Sequence, residues 1–151
     1  MPFTARPASI SDAAGLAMLL TRCRRRYLGR ESSLAEAIEH LSEPGTDPQL
    51  DAVAAVDASG AIVGFGRVWR AGDEIKCFAR VDPDATGRGI GTALLDALER
   101  RAAQIAPSPD TELTLTQWAA DDAATDLLRG RRFTESRFFL SNGRRPDRDS
   151  L

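Results

Sequence analysis

The sequence predicts a mixed α/β domain, an α+β sheet with a helical crossover, in the order strand, two helices, three strands, helix, strand, helix, strand. Three observations predict it. Residues 52–81 hold three apolar runs separated by turn chemistry; stretches of helical periodicity stand on either side; and a glycine-rich segment joins the third run to a helix. A length of 151 residues suits one domain with its own core, and no repeat or composition break marks a second. The domain is expected over residues 1–140, with 141–151 as a loose polar tail.

Residues 3–6 read as a short strand stopped by Pro7, and Ser9 or Ser11 is placed to cap the first helix. Leu16, Leu19, Leu20 and Cys23 recur at helical spacing over 12–28, with Arg22, Arg24, Arg25 and Arg26 on the solvated face. Leu34, Ala37, Ile38 and Leu41 give a second helix starting near Ser33 and ended by Pro44-Gly45. Residues 52–56, 61–69 and 74–81 then read as an antiparallel meander, with turns at 57–60 and 71–73. A helix over 89–106 carries Leu94, Leu95, Leu98, Ala102 and Ile105 as its buried stripe, until Pro107 and Pro109 end it. A strand over 112–117, a helix over 121–129 and a last strand over 133–140 complete the order.

Composition narrows the function. Twenty Lys+Arg against 22 Asp+Glu give a net charge of −2, which argues against coating nucleic acid or an anionic membrane. No apolar run approaches the roughly 18 residues of a membrane span, and no signal-peptide stretch follows the N-terminus. Two cysteines and a single histidine offer neither a disulfide framework nor a metal-ligand set. The expectation is a cytoplasmic chain without resident metal.

The chemistry concentrates at Gly87-Arg88-Gly89-Ile90-Gly91, where a strand passes into the amide-rich start of a helix. Glycine lets backbone approach a ligand and adopt positive φ, and a helix start offers unpaired N–H donors and partial positive charge. With the Arg88 charge and the Thr92 hydroxyl, the segment reads as a pyrophosphate cradle. It is not a P-loop, because the only lysine is Lys76, inside the preceding strand. Nor does it fit the dinucleotide fingerprint: the third position falls on Thr92 or Leu94, and the following acidic residue, Glu112, opens its strand instead of closing it.

Val81-Asp82-Pro83 followed by Gly87-Arg88-Gly89-Ile90-Gly91-Thr92-Ala93-Leu94-Leu95 resembles the acetyl-CoA motif of the GNAT (Gcn5-related N-acetyltransferase) superfamily, and the element order resembles that family's fold over about residues 3–140. The resemblance implies an N-acetyltransferase that moves an acetyl group from acetyl-CoA to a primary amine, on a small molecule or a peptide, by direct attack. It implies acetyl-CoA contacts at Gly87, Arg88, Gly89, Ile90, Gly91, Thr92 and Asp121, and a backbone amide near Arg80 or Val81 on the thioester carbonyl. It also implies homodimer pairing through the last strands as an option. Thr86 stands where the family carries Gln or Arg, Asp121 where it carries Asn, Leu128 where a Tyr often protonates the leaving thiolate, and Arg132 at its Gly. The chain's only tyrosine is Tyr27. These departures leave an alternative reading: a GNAT-fold module that binds acyl-CoA or a protein without transfer.

Loss of that acid does not forbid catalysis. A thiol of pKa about 8.5 leaves as thiolate with little help, whereas an amine of pKa about 10.4 is free base in only about one molecule in 2,500 at pH 7. A base for the amine is therefore the harder requirement. Asp73, Glu74, Glu31 and Glu112 are the candidates, with Glu74 first because the family often places its base on that strand. Cys77 reads as a small buried hydrophobe, His40 as surface or partly buried, and Trp69 and Trp118 as either core or channel wall.

Overall fold

The computed structural model describes residues 2–27, 33–116 and 122–131. Among them five strands form one sheet in the spatial order β1 (Phe3–Pro7), β2 (Ala52–Asp57), β3 (Ile62–Ala71), β4 (Glu74–Val81), β5 (Leu113–Thr116). The expected meander is present: β1 to β4 pair antiparallel in sequence, and β5 returns parallel to β4 after a helical crossover. The helices are α1 (Ala13–Tyr27), α2 (Leu34–Leu41), α3 (Pro48–Asp51), α4 (Ile90–Ile105) and α5 (Asp122–Gly130). The expected last strand over 133–140 and the tail lie outside the described residues, as do Glu31, Trp118 and Asp121.

Several boundaries move for local reasons. Pro7 closes β1 from inside the ladder, opposite Val53, because β1 is an edge strand and a missing N–H there can face solvent. A 3-10 turn over Ile10–Asp12 precedes α1. The Asp12 carboxylate accepts from the Ser9 amide at 2.9 Å and from both terminal nitrogens of Arg6 at 3.0 and 2.8 Å, which hold its carboxyl below the ordinary carboxylate range. α2 starts next to Ser33 as expected, and the Ser33 hydroxyl caps it by accepting from the Glu36 amide at 3.1 Å. The sequence reading misses α3. Its signal was Asp47-Pro48, a cap followed by proline at the first helical position, and the Asp47 carboxylate accepts from the Gln49 amide at 3.0 Å. Arg101 of α4 then ties this turn down through Asp51 at 2.8 Å.

The sheet is covered on both faces. Leu16, Leu19, Leu20 and Cys23 of α1 and Ala37 and Leu41 of α2 pack with Ala54, Ile62 and Phe65 on one side. Ile90, Leu94, Leu98 and Ala102 of α4 pack with Val53, Ala55, Val68, Ile75 and Cys77 on the other. Complete burial of a leucine in such a layer is worth about 1.5–3 kcal/mol. What sets the distance of α4 from the sheet is a pair of glycines in β3. A Cβ at Gly64 would lie 2.6 Å from Ile90 Cγ2 and 3.3 Å from Ala55 Cβ, and one at Gly66 would lie 2.9 Å from Leu98 Cδ1. The helix therefore rests on strand backbone.

Two substitutions test that seat. Gly64→Ala pushes against the branched, χ1-restricted Ile90 and is expected to cost about 1–3 kcal/mol. Gly66→Ala meets only the free end of Leu98, which can swing aside, and is expected to cost less. Urea unfolding should give Gly64→Ala the lower midpoint, and equal midpoints would show that α4 does not rest on Gly64.

Candidate functional site

β4 leads into the glycine segment through a tightly anchored corner. Asp82 is buried, accepts from Arg22 Nε at 2.6 Å and caps a 3-10 turn over Pro83–Ala85 by accepting from the Asp84 amide at 2.9 Å. Arg22 also donates to the Ile62 carbonyl at 2.9 Å, so α1 pins both the strand end and the loop start. Ala85 is buried, whereas Thr86, Gly87, Arg88 and Gly89 are exposed. Gly87 and Gly89 both hold left-handed backbone, φ +79° and +83°, with nothing within 4 Å of the place a Cβ would take. A side chain at either position would add strain and occupy the open approach to the helix.

The helix starts at Ile90, one residue later than expected, because Gly89 takes that left-handed conformation as its cap. Its first helical hydrogen bond runs from the Ala93 amide to the Gly89 carbonyl at 3.0 Å. The amides of Ile90, Gly91 and Thr92 therefore have no partner within the helix and stand at its positive end. Gly91 serves a further purpose. A Cβ there would lie 2.6 Å from Leu127 Cδ2, so its missing side chain admits α5.

A second donor site is set by ladder geometry. The Asp82 amide bonds to the Val63 carbonyl at 2.8 Å, while the Ile75 amide bonds to the Glu112 carbonyl at 3.4 Å. Even-numbered residues of β4 thus turn their backbone toward β3 and odd-numbered ones toward β5. The last described β4–β5 pair is Phe78 with Thr116. Of the two amides expected near the thioester, Arg80's is committed to β3 opposite Phe65, and Val81's is turned away from β3. No register shift interrupts the β3–β4 ladder; the bulge lies between β2 and β3 at Ala55/Val56.

The α2-facing side of β3 and β4 holds a cluster the sequence reading did not assemble. Arg67 and Arg80 are both 8% exposed. Arg67 Nε donates to His40 Nδ1 at 3.0 Å, its Nη2 lies 3.0 Å from Glu43, and its guanidinium stacks on Trp69 at 4.0 Å. His40 stacks on Phe78 with centroids 4.3 Å apart, and the Arg80 guanidinium lies 4.3 Å from the same ring. Arg67 Nη1 is buried and reaches no acceptor among the described residues, an arrangement that ordinarily costs about 1–3 kcal/mol. Burial first, then the Arg67 and Arg80 charges, push the His40 imidazolium down to about 4, so the ring is a neutral acceptor at pH 7. The signal in the sequence was an arginine between Phe65 and Trp69 on one otherwise apolar face of the strand.

Other expected residues fall elsewhere. Glu74 is exposed at the opposite end of β4, about 23 Å along the strand from Val81 at roughly 3.3 Å per residue, so the fold does not bring it to the glycine segment. Asp73 and Glu112 are exposed near that same distant end. Cys77 is buried against α4, and burial pushes its thiol up to about 12, which removes it as a nucleophile. Two surface arginines are held in ion pairs: Arg24 pairs with Glu36 at 2.8 Å, and Arg131 with Asp96 and Glu99 at 2.8 and 2.6 Å. Among the described residues no group of three metal-ligating side chains occurs, and no helix is long and apolar enough to cross a membrane.

The depressed His40 value has a measurable consequence. Unfolded histidine titrates near 6.5, so between pH 6.5 and about 4 the unfolded chain binds a proton that folded His40 does not. His40's contribution is complete above that window and is lost as pH falls through it, before the depressed Asp12 and Glu36 carboxylates add their own losses lower down. Urea midpoints between pH 7 and 4.5 should fall in the native chain and fall less steeply in His40→Phe. Identical slopes would refute the buried neutral imidazole.

Comparison with known proteins accords with this geometry. A profile described as the acetyltransferase (GNAT) domain matches residues 50–142, more than half of the chain. The fold is similar to that of a GCN5-related N-acetyltransferase from Sphaerobacter thermophilus (TM-score 0.73, 24% identity, 85% of this chain), of which this chain spans only 42%. It is also similar to yncA, a putative acetyltransferase from Salmonella typhimurium solved with acetyl-CoA (TM-score 0.66, 18% identity, 87% of this chain and 79% of that one). A GNAT-family acetyltransferase from Streptococcus pneumoniae gives TM-score 0.67 and 19% identity over 90% and 86% of the two chains. No curated protein matches the sequence. With the profile covering the meander, the glycine segment and the crossover helix, the chain belongs to the GNAT family of acetyltransferases.

Proposed function

We propose that this acetyltransferase uses acetyl-CoA as its acyl donor and passes the acetyl group directly to a primary amine. The observation that carries the proposal is the pair of open, left-handed glycines, Gly87 and Gly89, which leave the first amides of α4 uncovered beside the end of β4. Three consecutive N–H donors at a helix start, with Arg88 in the approach, suit the pyrophosphate of a coenzyme A thioester.

The Val81 amide, turned away from β3, is the donor in this reading for the thioester oxygen and for the negative charge that grows there when an amine attacks. The reaction needs no covalent enzyme intermediate, which agrees with the inert Cys77. The nitrogen forms its bond to the acyl carbon, the carbon–sulfur bond breaks, the sulfur leaves as thiolate, and the proton shed by the acylated nitrogen passes to that thiolate or to water. Leu128 offers no proton at the position where relatives place a tyrosine, and a thiolate of pKa about 8.5 does not require one. Asp82 comes directly after Val81, but its carboxylate is held by Arg22 and the Asp84 amide. We assign no side chain as base for the amine: the acceptor is taken up as free base, whose fraction rises about tenfold per pH unit below the amine's own pKa.

Thiol release over a panel of amines, with acetyl-CoA binding measured alongside by calorimetry, tests the reading. Turnover on at least one amine supports it, whereas tight acetyl-CoA binding with no turnover on any would leave a binding module. Gly89→Asp is expected to raise the acetyl-CoA Kd by about 100-fold or more, through backbone strain and a carboxylate in the phosphate approach. Gly91→Ala meets only the mobile end of Leu127 and is expected to change that Kd little. For Glu74→Gln the rate should climb with pH as in the native enzyme; a flattened profile would restore Glu74 as the base.

A further inference from the structure

We propose that Arg22 and Asp82 are positioning residues for acetyl-CoA, their contact setting the shape in which the glycine segment meets the pyrophosphate. The inference rests on the acetyl-CoA reading and adds to it a determinant of affinity that lies on α1.

Asp82 stands where β4 ends, and all of its polar groups are committed there. Its amide donates to the Val63 carbonyl at 2.8 Å, and its carbonyl accepts from the Ala85 amide at 2.9 Å. One carboxylate oxygen accepts from the Asp84 amide at 2.9 Å, the other from Arg22 Nε at 2.6 Å. The first three bonds belong to the sheet and to the turn itself. Only the fourth arrives from another layer, carried by a residue 60 positions earlier in the chain. Arg22 also donates to the Ile62 carbonyl at 2.9 Å, and the adjacent Cys23 thiol donates to the Val81 carbonyl at 3.5 Å. Two consecutive residues of α1 thus hold the start of β3 together with the end of β4.

Past the buried Ala85, packing offers less hold. Thr86, Gly87, Arg88 and Gly89 are exposed, and among the described residues nothing packs where a Cβ at either glycine would stand. The next packed point is Ile90, seated over Gly64. Between those two anchors the left-handed glycines keep their shape only as firmly as the ends are fixed, because glycine has the widest backbone freedom. A loop already in place offers its amides to phosphate at no ordering cost, whereas a loosened loop incurs that cost on binding. Charge separates this role from simple attraction. Left alone, the Arg22 cation would draw a pyrophosphate and the Asp82 carboxylate would repel it. An electrostatic role therefore predicts opposite effects when each is removed, and a positioning role predicts the same effect.

The test measures acetyl-CoA binding by calorimetry, and urea unfolding alongside it, for Arg22→Gln, Asp82→Asn, the double variant and Arg22→Lys. Each neutral single variant should raise the Kd about 10-fold, the weight of ordering roughly one backbone residue. The double variant should bind about as weakly as either single one, since the second change removes a contact already lost. Arg22→Lys, which keeps a cation against Asp82, should recover part of the affinity. With an amine that turns over, KM should rise more for acetyl-CoA than for S-acetylpantetheine, which ends before the pyrophosphate; a general folding defect would raise both alike. Should Asp82→Asn fail to fold, the two Arg22 variants and the comparison of donors still decide. Tighter binding by Asp82→Asn, additive losses in the double variant, or a native Kd in Arg22→Gln overturns the proposal and leaves the transferase standing. Failure of the native chain to bind acetyl-CoA defeats the underlying reading instead.

Discussion

The close seat of α4 on β3 is the constraint that sets the site geometry. A helix can approach a strand this nearly only where the strand lacks side chains, and Gly64 and Gly66 provide two such positions on one face. Their spacing fixes where along the strand the helix rests as well as how far from it. Ile90, the first residue of α4, lies over Gly64, and Gly64 is the ladder partner of Val81. One glycine thus registers the amides at the helix start against the amide at the end of β4. The helix start and the end of β4, made by different elements, are held at a fixed separation by the contact of the Ile90 side chain with the Gly64 backbone.

The Arg22–Asp82 pair fixes the same corner from the opposite layer. An ion pair with one buried partner seldom adds much net stability, since desolvation offsets much of its attraction. This one is nevertheless well supplied with hydrogen bonds: Asp82 also accepts from the Asp84 amide, and Arg22 also donates to the Ile62 carbonyl. Its evident effect is positional. It decides where the chain leaves β4, and so where Gly87 turns, while the apolar layers supply the driving force for folding.

Much of this was legible in the sequence because it depended on local chemistry. Turn residues marked the meander, serine at position 33 marked the cap of α2, and the glycine spacing marked the helix start. What escaped was set by pairing. Glu74 belongs to the strand on which the resemblance places a base, but strand membership does not say at which end of β4, near to or far from the glycine segment, a residue lies. An amide was expected near Arg80 or Val81, and only the ladder's alternation shows the Arg80 amide turned to β3. Gly91 was read as open to phosphate, whereas its side-chain direction is taken by Leu127 from a helix more than thirty residues later. The cluster around Arg67 joins α2, β3 and β4, and no window of sequence contains all three.

The two sides of the sheet then divide the work through one physical contrast. Toward α4 the strands present glycine and small apolar side chains, which allow a dry, close and rigid contact. Toward α2 they present Arg67 and Arg80 among rings, where burial raises the cost of charge and makes every unpaired donor consequential. Since Gly64 and Arg67 lie three residues apart on opposite faces of β3, the close helix seat and the charged cluster among rings are carried by a single strand whose alternation keeps them separate.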